Sequence, residues 1–178
     1  MNKKKTVLEM GRIGCEEFRA SQKMPLVVVL DNVRSLHNVG SVFRTSDAFR
    51  IERIMLCGIT ATPPSAEIHK TALGAEDVVE WQYFASTMDA VAALRDSGHK
   101  VYSIEQCKGS IALQDFVTVP SERYAVVLGN EVKGVQQAVV DASDGAIEIP
   151  QFGTKHSLNV SVTAGMVIWE FAKKLGLV

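Results

Sequence analysis

Apolar residues in this chain fall into short unbroken runs, separated by stretches whose apolar positions recur with a helical period. The run PLVVVLD from Pro25 shows no apolar–polar alternation, the pattern of a strand covered on both faces. Further strands are predicted at Arg53–Gly58, near Val78–Phe84, in KVYSIE after Gly98, in YAVVLGN from Tyr124 and in AIEIP from Ala146. Helices are predicted over 6–20 (on Val7, Leu8, Ile13 and Phe18), Val39–Phe49, Glu67–Leu73, 86–97, 135–142 and 157–175. Pro63-Pro64 excludes regular structure between the second strand and the third helix. The segment 106–122 carries no clear period and reads as a loop with one turn. Strand and helix alternate along the whole chain, which predicts an α/β fold with a mostly parallel sheet flanked by helices, as one domain over 1–178.

The last helix changes the picture. Val160, Ala164, Val167 and Phe171 make one apolar face, and Leu158, Val162, Met166 and Trp169 make another. A helix that is apolar nearly all round is buried on more than one side, and one sheet covers only one. A partner subunit is therefore expected on the C-terminal helix.

Composition adds limits. With 178 residues, 47% of them hydrophobic, the chain is long enough for a proper core. A net charge of −1 excludes a protein coated in basic residues. Residues 1–23 nonetheless hold six Lys or Arg against three Glu, so Lys3, Lys4, Lys5 and Arg12 form a candidate phosphate-contacting arm. No run approaches the roughly 18 apolar residues of a membrane span, and the N-terminus lacks the apolar core of a signal peptide. Cys15, Cys57 and Cys107 are scattered without a disulfide framework, which points to a reducing cytoplasm.

Candidate chemistry lies in three strand–loop–helix stretches: LDNVRSLHNVGSVFRTSDAF from Leu30, VVLGNEVKGV from Val126 and IEIPQFGTKHSLNVSVTAGMVIWE up to Glu170. Ligands of open α/β sheets sit at the carboxyl ends of strands, where such loops lie. The first turn lacks the glycines of a dinucleotide site. Gly129 and Gly134 have the spacing of a phosphate loop, but Val135 and Gln136 stand where Lys and Ser or Thr are needed. No Gly-x-Ser-x-Gly elbow is present, and the His and Cys residues lack metal-ligand spacing, so no metal is expected.

Together, NVGSVFRTSDAF, VVLGNEVKGV and IEIPQFGTKHSLNVSV resemble the three motifs of the SpoU (TrmH-like) branch of the SPOUT RNA methyltransferases. The resemblance implies transfer of a methyl group from S-adenosylmethionine to a ribose 2′-hydroxyl of RNA, leaving S-adenosylhomocysteine. It also implies a homodimer and a deep C-terminal trefoil knot, which general topology rules would not predict. Arg44 becomes the catalytic arginine near the target phosphate, and Asn38 orders its loop or contacts the site. Glu131 is expected to steady the Arg44 guanidinium. Ser157 is expected to cap the last helix, and Asn159 to bond substrate or Glu131. Leu128, Gly129, Gly134, Ile149 and Leu158 are the expected cofactor-binding residues. The 178 residues leave no room for the separate N-terminal RNA-binding domain of many rRNA-directed relatives, so tRNA is the expected substrate, for example a D-loop guanosine. The alternatives are an rRNA 2′-O-methyltransferase, a non-catalytic knotted RNA-binding or assembly factor and a nucleotide-binding oxidoreductase.

Overall fold

A computed structural model describes residues 2–6 and 8–178. Its sheet has seven strands: β1 (Met24–Asp31), β2 (Ile51–Cys57), β3 (Trp81–Phe84), β4 (His99–Ile104), β5 (Ile111–Ala112), β6 (Arg123–Leu128) and β7 (Gly145–Glu148). The spatial order is β3-β2-β1-β6-β4-β7-β5, and every pairing is parallel. β1 lies between β2 and β6, so the predicted two-sided burial is met: Val27, Val28 and Val29 are each fully buried. Successive strand side chains point to opposite faces. Leu26, Val28 and Leu30 enter one core with α2 (Leu36–Ala48), α3 (Ala66–Ala72) and α6 (Val160–Lys174). Val27 and Val29 enter the other, against α4 (Thr87–Asp96) and α5 (Gln137–Ala142).

Several boundaries differ from expectation, for local reasons. The predicted helix over 6–20 is a 3-10 turn at Leu8–Met10 followed by a six-residue α1 (Cys15–Ala20), and Val7 lies outside the described residues. Gly11, at φ +59°, separates the two pieces in the left-handed region that other residues avoid. α2 starts three residues before Val39 because the Ser35 hydroxyl accepts from the Asn38 amide at 3.3 Å, an N-cap. The stretch Val78–Phe84 is strand only from Trp81, preceded by a 3-10 turn at Ala75–Asp77. Segment 106–122 supplies the two-residue edge strand β5, which the absence of any period had hidden.

The two faces of α6 divide as the pattern predicts. Val160, Ala164, Val167 and Phe171 are buried in the core, while Val162, Met166 and Trp169 remain 44–48% exposed. No described helix is long and apolar enough to cross a membrane.

At the end of the sheet away from the loops, Glu52 gathers two arginines and a histidine. Arg123 donates to its carboxylate, His99 Nε2 faces it at 3.5 Å and Arg53 Nε lies at 3.9 Å. His99 first, and Arg123 after it, hold the carboxyl down at about 2 against the opposing effect of burial. A depressed carboxylate contributes stability above its unfolded value and loses it as pH falls through the folded one. Glu52→Gln is therefore expected to destabilise by about 1–3 kcal/mol at neutral pH. The difference from wild type should shrink as pH falls from 4.5 to about 2. Denaturant melts across that range check it, and a pH-independent difference would exclude the charge as cause.

Candidate active site

The loops that follow β1, β4, β6 and β7 meet at one end of the sheet, as parallel strands require. Their assembly starts with Asp31, a fully buried carboxylate at the last position of β1. It accepts from the Thr87 hydroxyl at 2.6 Å, the Gln136 amide at 2.9 Å and the Gln136 side chain at 2.7 Å. One carboxylate thus fastens the start of α4 and the return of the loop after β6. Asn32 follows at φ +55°, and its carbonyl accepts from Asn130 Nδ2 at 2.7 Å. The Asn130 side-chain oxygen in turn accepts from the Val132 and Lys133 amides. The loop then closes on itself, with two amide–carbonyl bonds between Asn130 and Gly134.

Glu131, carried on this closed loop, reaches the start of α2. Its carboxylate accepts from the Arg34 and Ser35 amides, each at 3.0 Å, and from Asn38 Nδ2 at 3.1 Å. Burial pushes this carboxyl up, but the donors of Arg34, Ser35 and Asn38 outweigh it and bring it below the ordinary carboxylate range. Asn159 adds the third stretch, donating to Asn38 Oδ1 at 3.2 Å. Asn38, Glu131 and Asn159 are thereby joined as one hydrogen-bonded chain across residues up to 121 positions apart.

Three expectations are corrected here. Glu131 holds backbone amides and Asn38, and no hydrogen bond or ion pair among the described residues joins it to Arg44. The reason is placement: Asn38 and Arg44 are six positions apart on α2, about 120° away from each other around a helix of 3.6 residues per turn. Ser157 is not the N-cap of the last helix; Asn159 is, accepting from the Ser161 and Val162 amides at 2.8 and 3.4 Å. The helix begins at Val160 rather than 157, leaving Ser157 exposed on the loop. Of the two partners expected for Asn159, substrate or Glu131, the carboxylate is not reached: the Asn159 amide donates to Asn38 Oδ1, and its oxygen is held by the cap.

A cavity of about 430 Å³ opens between these loops. Leu128, Gly129, Gly134, Ile149 and Leu158, the five residues expected to bind cofactor, all line it, as do Glu131 and Ser157. Arg44 does not line it; its side chain is exposed on α2. The backbone groups of Gly129, Ile149 and Leu158 enter none of the turn, loop or cap hydrogen bonds of the described residues. They are therefore available to the edge of a flat polar ligand.

Four contributors were missed by sequence reasoning. Glu105 accepts from the Val135 amide at 3.0 Å, and Gln106 donates to the His156 carbonyl at 2.9 Å, tying the loop after β4 to both others. Cys107 lines the cavity as a neutral thiol, burial having pushed it up. Asp31 had one visible signal, a charge closing an otherwise apolar strand.

The SpoU rRNA Methylase family model matches residues 25–169. The chain belongs to the SpoU family. An uncharacterized tRNA/rRNA methyltransferase of Borreliella burgdorferi is 29% identical over 91% of this chain and 69% of its own length. The 23S rRNA (guanosine-2′-O-)-methyltransferase RlmB of Nitrosomonas europaea is 32% identical over 82% of this chain, which spans only 55% of that relative. Among solved structures, an AdoMet-bound rRNA methyltransferase from Sinorhizobium meliloti superposes with TM-score 0.79 at 27% identity, over 89% of this chain and 60% of that one. The A. aeolicus TrmH/SpoU tRNA modifying enzyme shares the fold, with TM-score 0.78 at 23% identity over 95% of this chain and 84% of that one.

SpoU loop geometry here demands a glycine at 129. A Cβ there would stand 2.1 Å from the Gly134 carbonyl carbon and 2.2 Å from the Val135 nitrogen, both backbone atoms of the returning loop. At Gly153 a Cβ would meet nothing within 4 Å. Gly129→Ala is expected to cost about 1–3 kcal/mol from overpacking, while Gly153→Ala stays near neutral. Equal stability of the two variants in urea melts would show that the loop return is not rigid.

Proposed function

We propose that this protein transfers a methyl group from S-adenosylmethionine to a ribose 2′-hydroxyl of RNA, working as one domain. The observation that carries the reading is the cavity at the carboxyl ends of β4, β6 and β7 in a SpoU-family chain, with unpaired backbone groups at Gly129, Ile149 and Leu158 on its wall. Those groups fit an adenosine, and Leu128 and Gly134 complete its enclosure. When bound, the cofactor would supply an electrophilic methyl on a sulfonium, which leaves as a neutral thioether while the 2′-hydroxyl proton passes to solvent water. The protein's part is alignment, which alone can lower a barrier by up to about 7–11 kcal/mol.

In this reading the Asn38–Glu131–Asn159 chain keeps the loops in register around the acceptor ribose. Ser157, exposed at the cavity edge, offers a hydroxyl to the substrate. Arg44 anchors the target phosphate: a guanidinium keeps its proton in proteins and binds phosphate with two donors at once. It acts as a charge rather than as a base. Arg44→Ala should abolish methyl transfer while leaving S-adenosylmethionine affinity intact, measured by calorimetry beside a labelled-methyl assay on total RNA. Turnover retained in that variant would remove Arg44 from the mechanism.

tRNA is the substrate we carry forward. Ribosomal RNA is the second reading, favoured by the name of the relative at 32% identity. We also read the exposed face of α6, with Val162, Met166 and Trp169, as the contact with a second copy. The segment after β7 is read as threaded in a deep trefoil knot. Insertion of β6 between β1 and β4, and the tie from Gln106 to the His156 carbonyl, support that threading. The protein would act in the cytoplasm.

Lys3, Lys4, Lys5 and Arg12 are exposed and are read as an accessory RNA contact. Replacing the three lysines by Ala should reduce the salt dependence of RNA binding. An unchanged slope of log affinity against log salt would leave them merely solvated.

A further inference from the structure

The exposed Asp, Glu, Lys and Arg side chains on the loops after β1, β4, β6 and β7 are all basic: Arg34, Lys108, Lys133 and Lys155. The two carboxylates of the same loops that face the cavity, Glu105 and Glu131, are partly covered and accept backbone amides. None of the four cations forms an ion pair among the described residues, whereas Arg53, Lys70, Arg95, Arg123, Lys173 and Lys174 all do so elsewhere. Other cations, such as Arg44, Arg50 and Lys100, are also without an ion pair among the described residues, but a chain of net charge −1 gathers these four on neighbouring loops at one place. That place is the cavity mouth. Lys133 lines the cavity, Lys108 and Lys155 adjoin its lining residues Cys107 and His156, and the Arg34 amide holds Glu131.

Within this ring stands Phe152, 96% exposed, one residue beyond the cavity-lining Gln151. A phenylalanine so placed forgoes nearly all the burial its ring could gain. The loops around the cavity present Lys108, Lys133 and Lys155 together with the exposed Val132, and a second copy docked rim to rim would set like charges together. A polyanion with flat apolar faces satisfies both features.

We infer that this rim holds an unpaired stretch of RNA, its phosphates on Arg34, Lys108, Lys133 and Lys155 and one base stacked on Phe152. The inference rests on the methyltransferase reading, and it narrows the substrate to RNA whose target nucleotide lies outside a helix. An A-form duplex keeps its base faces stacked and has none to offer an aromatic ring, whereas loops and ends do. Cations that track the backbone together with an aromatic platform are the physical recipe for single-strand binding.

The test uses a labelled, unpaired RNA of about 12 nucleotides, within the range such sites cover, and the same strand annealed to its complement. The full-length protein should prefer the unpaired strand. Each of the four residues changed to Ala should lower the slope of log affinity against log salt by about 0.7. Phe152→Ala should weaken binding roughly 5- to 150-fold, with Phe152→Trp restoring it. Equal affinity for duplex, or salt slopes and affinities unmoved by these variants, overturns the inference. So does Phe152→Ala converting a dimer to a monomer in sedimentation, since the ring would then belong to a subunit contact. Methyl transfer separates the two readings. A wild type that binds unpaired RNA through the rim yet transfers no methyl refutes the enzyme and upholds the rim. A wild type that methylates RNA while the rim variants match it refutes the rim alone.

Discussion

Everything at the active end of this molecule depends on carboxylates that accept backbone amides from other loops. Glu131 is the chief of these. It takes the Arg34 and Ser35 amides at the start of α2, where helix geometry leaves donors without partners. An anion there is also favoured by the helix dipole. Charge-assisted bonds of this kind are worth about 1.5–3 kcal/mol each, enough for one side chain to decide where a loop rests. Asp31 and Glu105 repeat the device on consecutive residues, fixing the amides of Gln136 and Val135.

The same arrangement explains why these acids are poor candidates for proton transfer. Their lone pairs are already committed to main-chain donors, and a protonated form would break the bonds that shape the cavity. In the proposed reading, contact with the substrate is left to exposed groups, Arg44 and Ser157. Residues that hold the loops and residues proposed to meet the substrate would then alternate along the same short motifs.

Much of the scaffold could be read from the chain. The unbroken apolar run of β1 announced a strand buried on both sides, and the core face of α6 was assigned correctly because a 3.6-residue period is a strong signal, although Leu158 of the other face precedes the helix. The cavity residues were reached through their resemblance to SpoU motifs, not through periodicity. What stayed hidden was pairing at a distance. Asn38 meets Glu131 across 93 positions, and nothing local in either stretch marks that contact. Ser157 and Asn159 are both good capping types, so two residues of error followed until tertiary contacts selected one. The break at Gly11 went unread because the helical period of residues 6–20 is weak.

The position of β6 has a further consequence. Its register with β1 pairs Leu26 with Tyr124, 98 residues later, so the central ladder of the sheet closes only when most of the chain exists. Non-local pairing of this kind slows folding, because loop closure precedes any reward. The cavity needs still later residues, up to Thr163. On the ribosome, then, a nascent chain of this protein has no complete cavity until residues as late as Thr163 have been made. A ligand that binds only the native state adds stability by mass action, and here it would act as a latch on the late-made segments, preferring chains in which every wall of the cavity is in place.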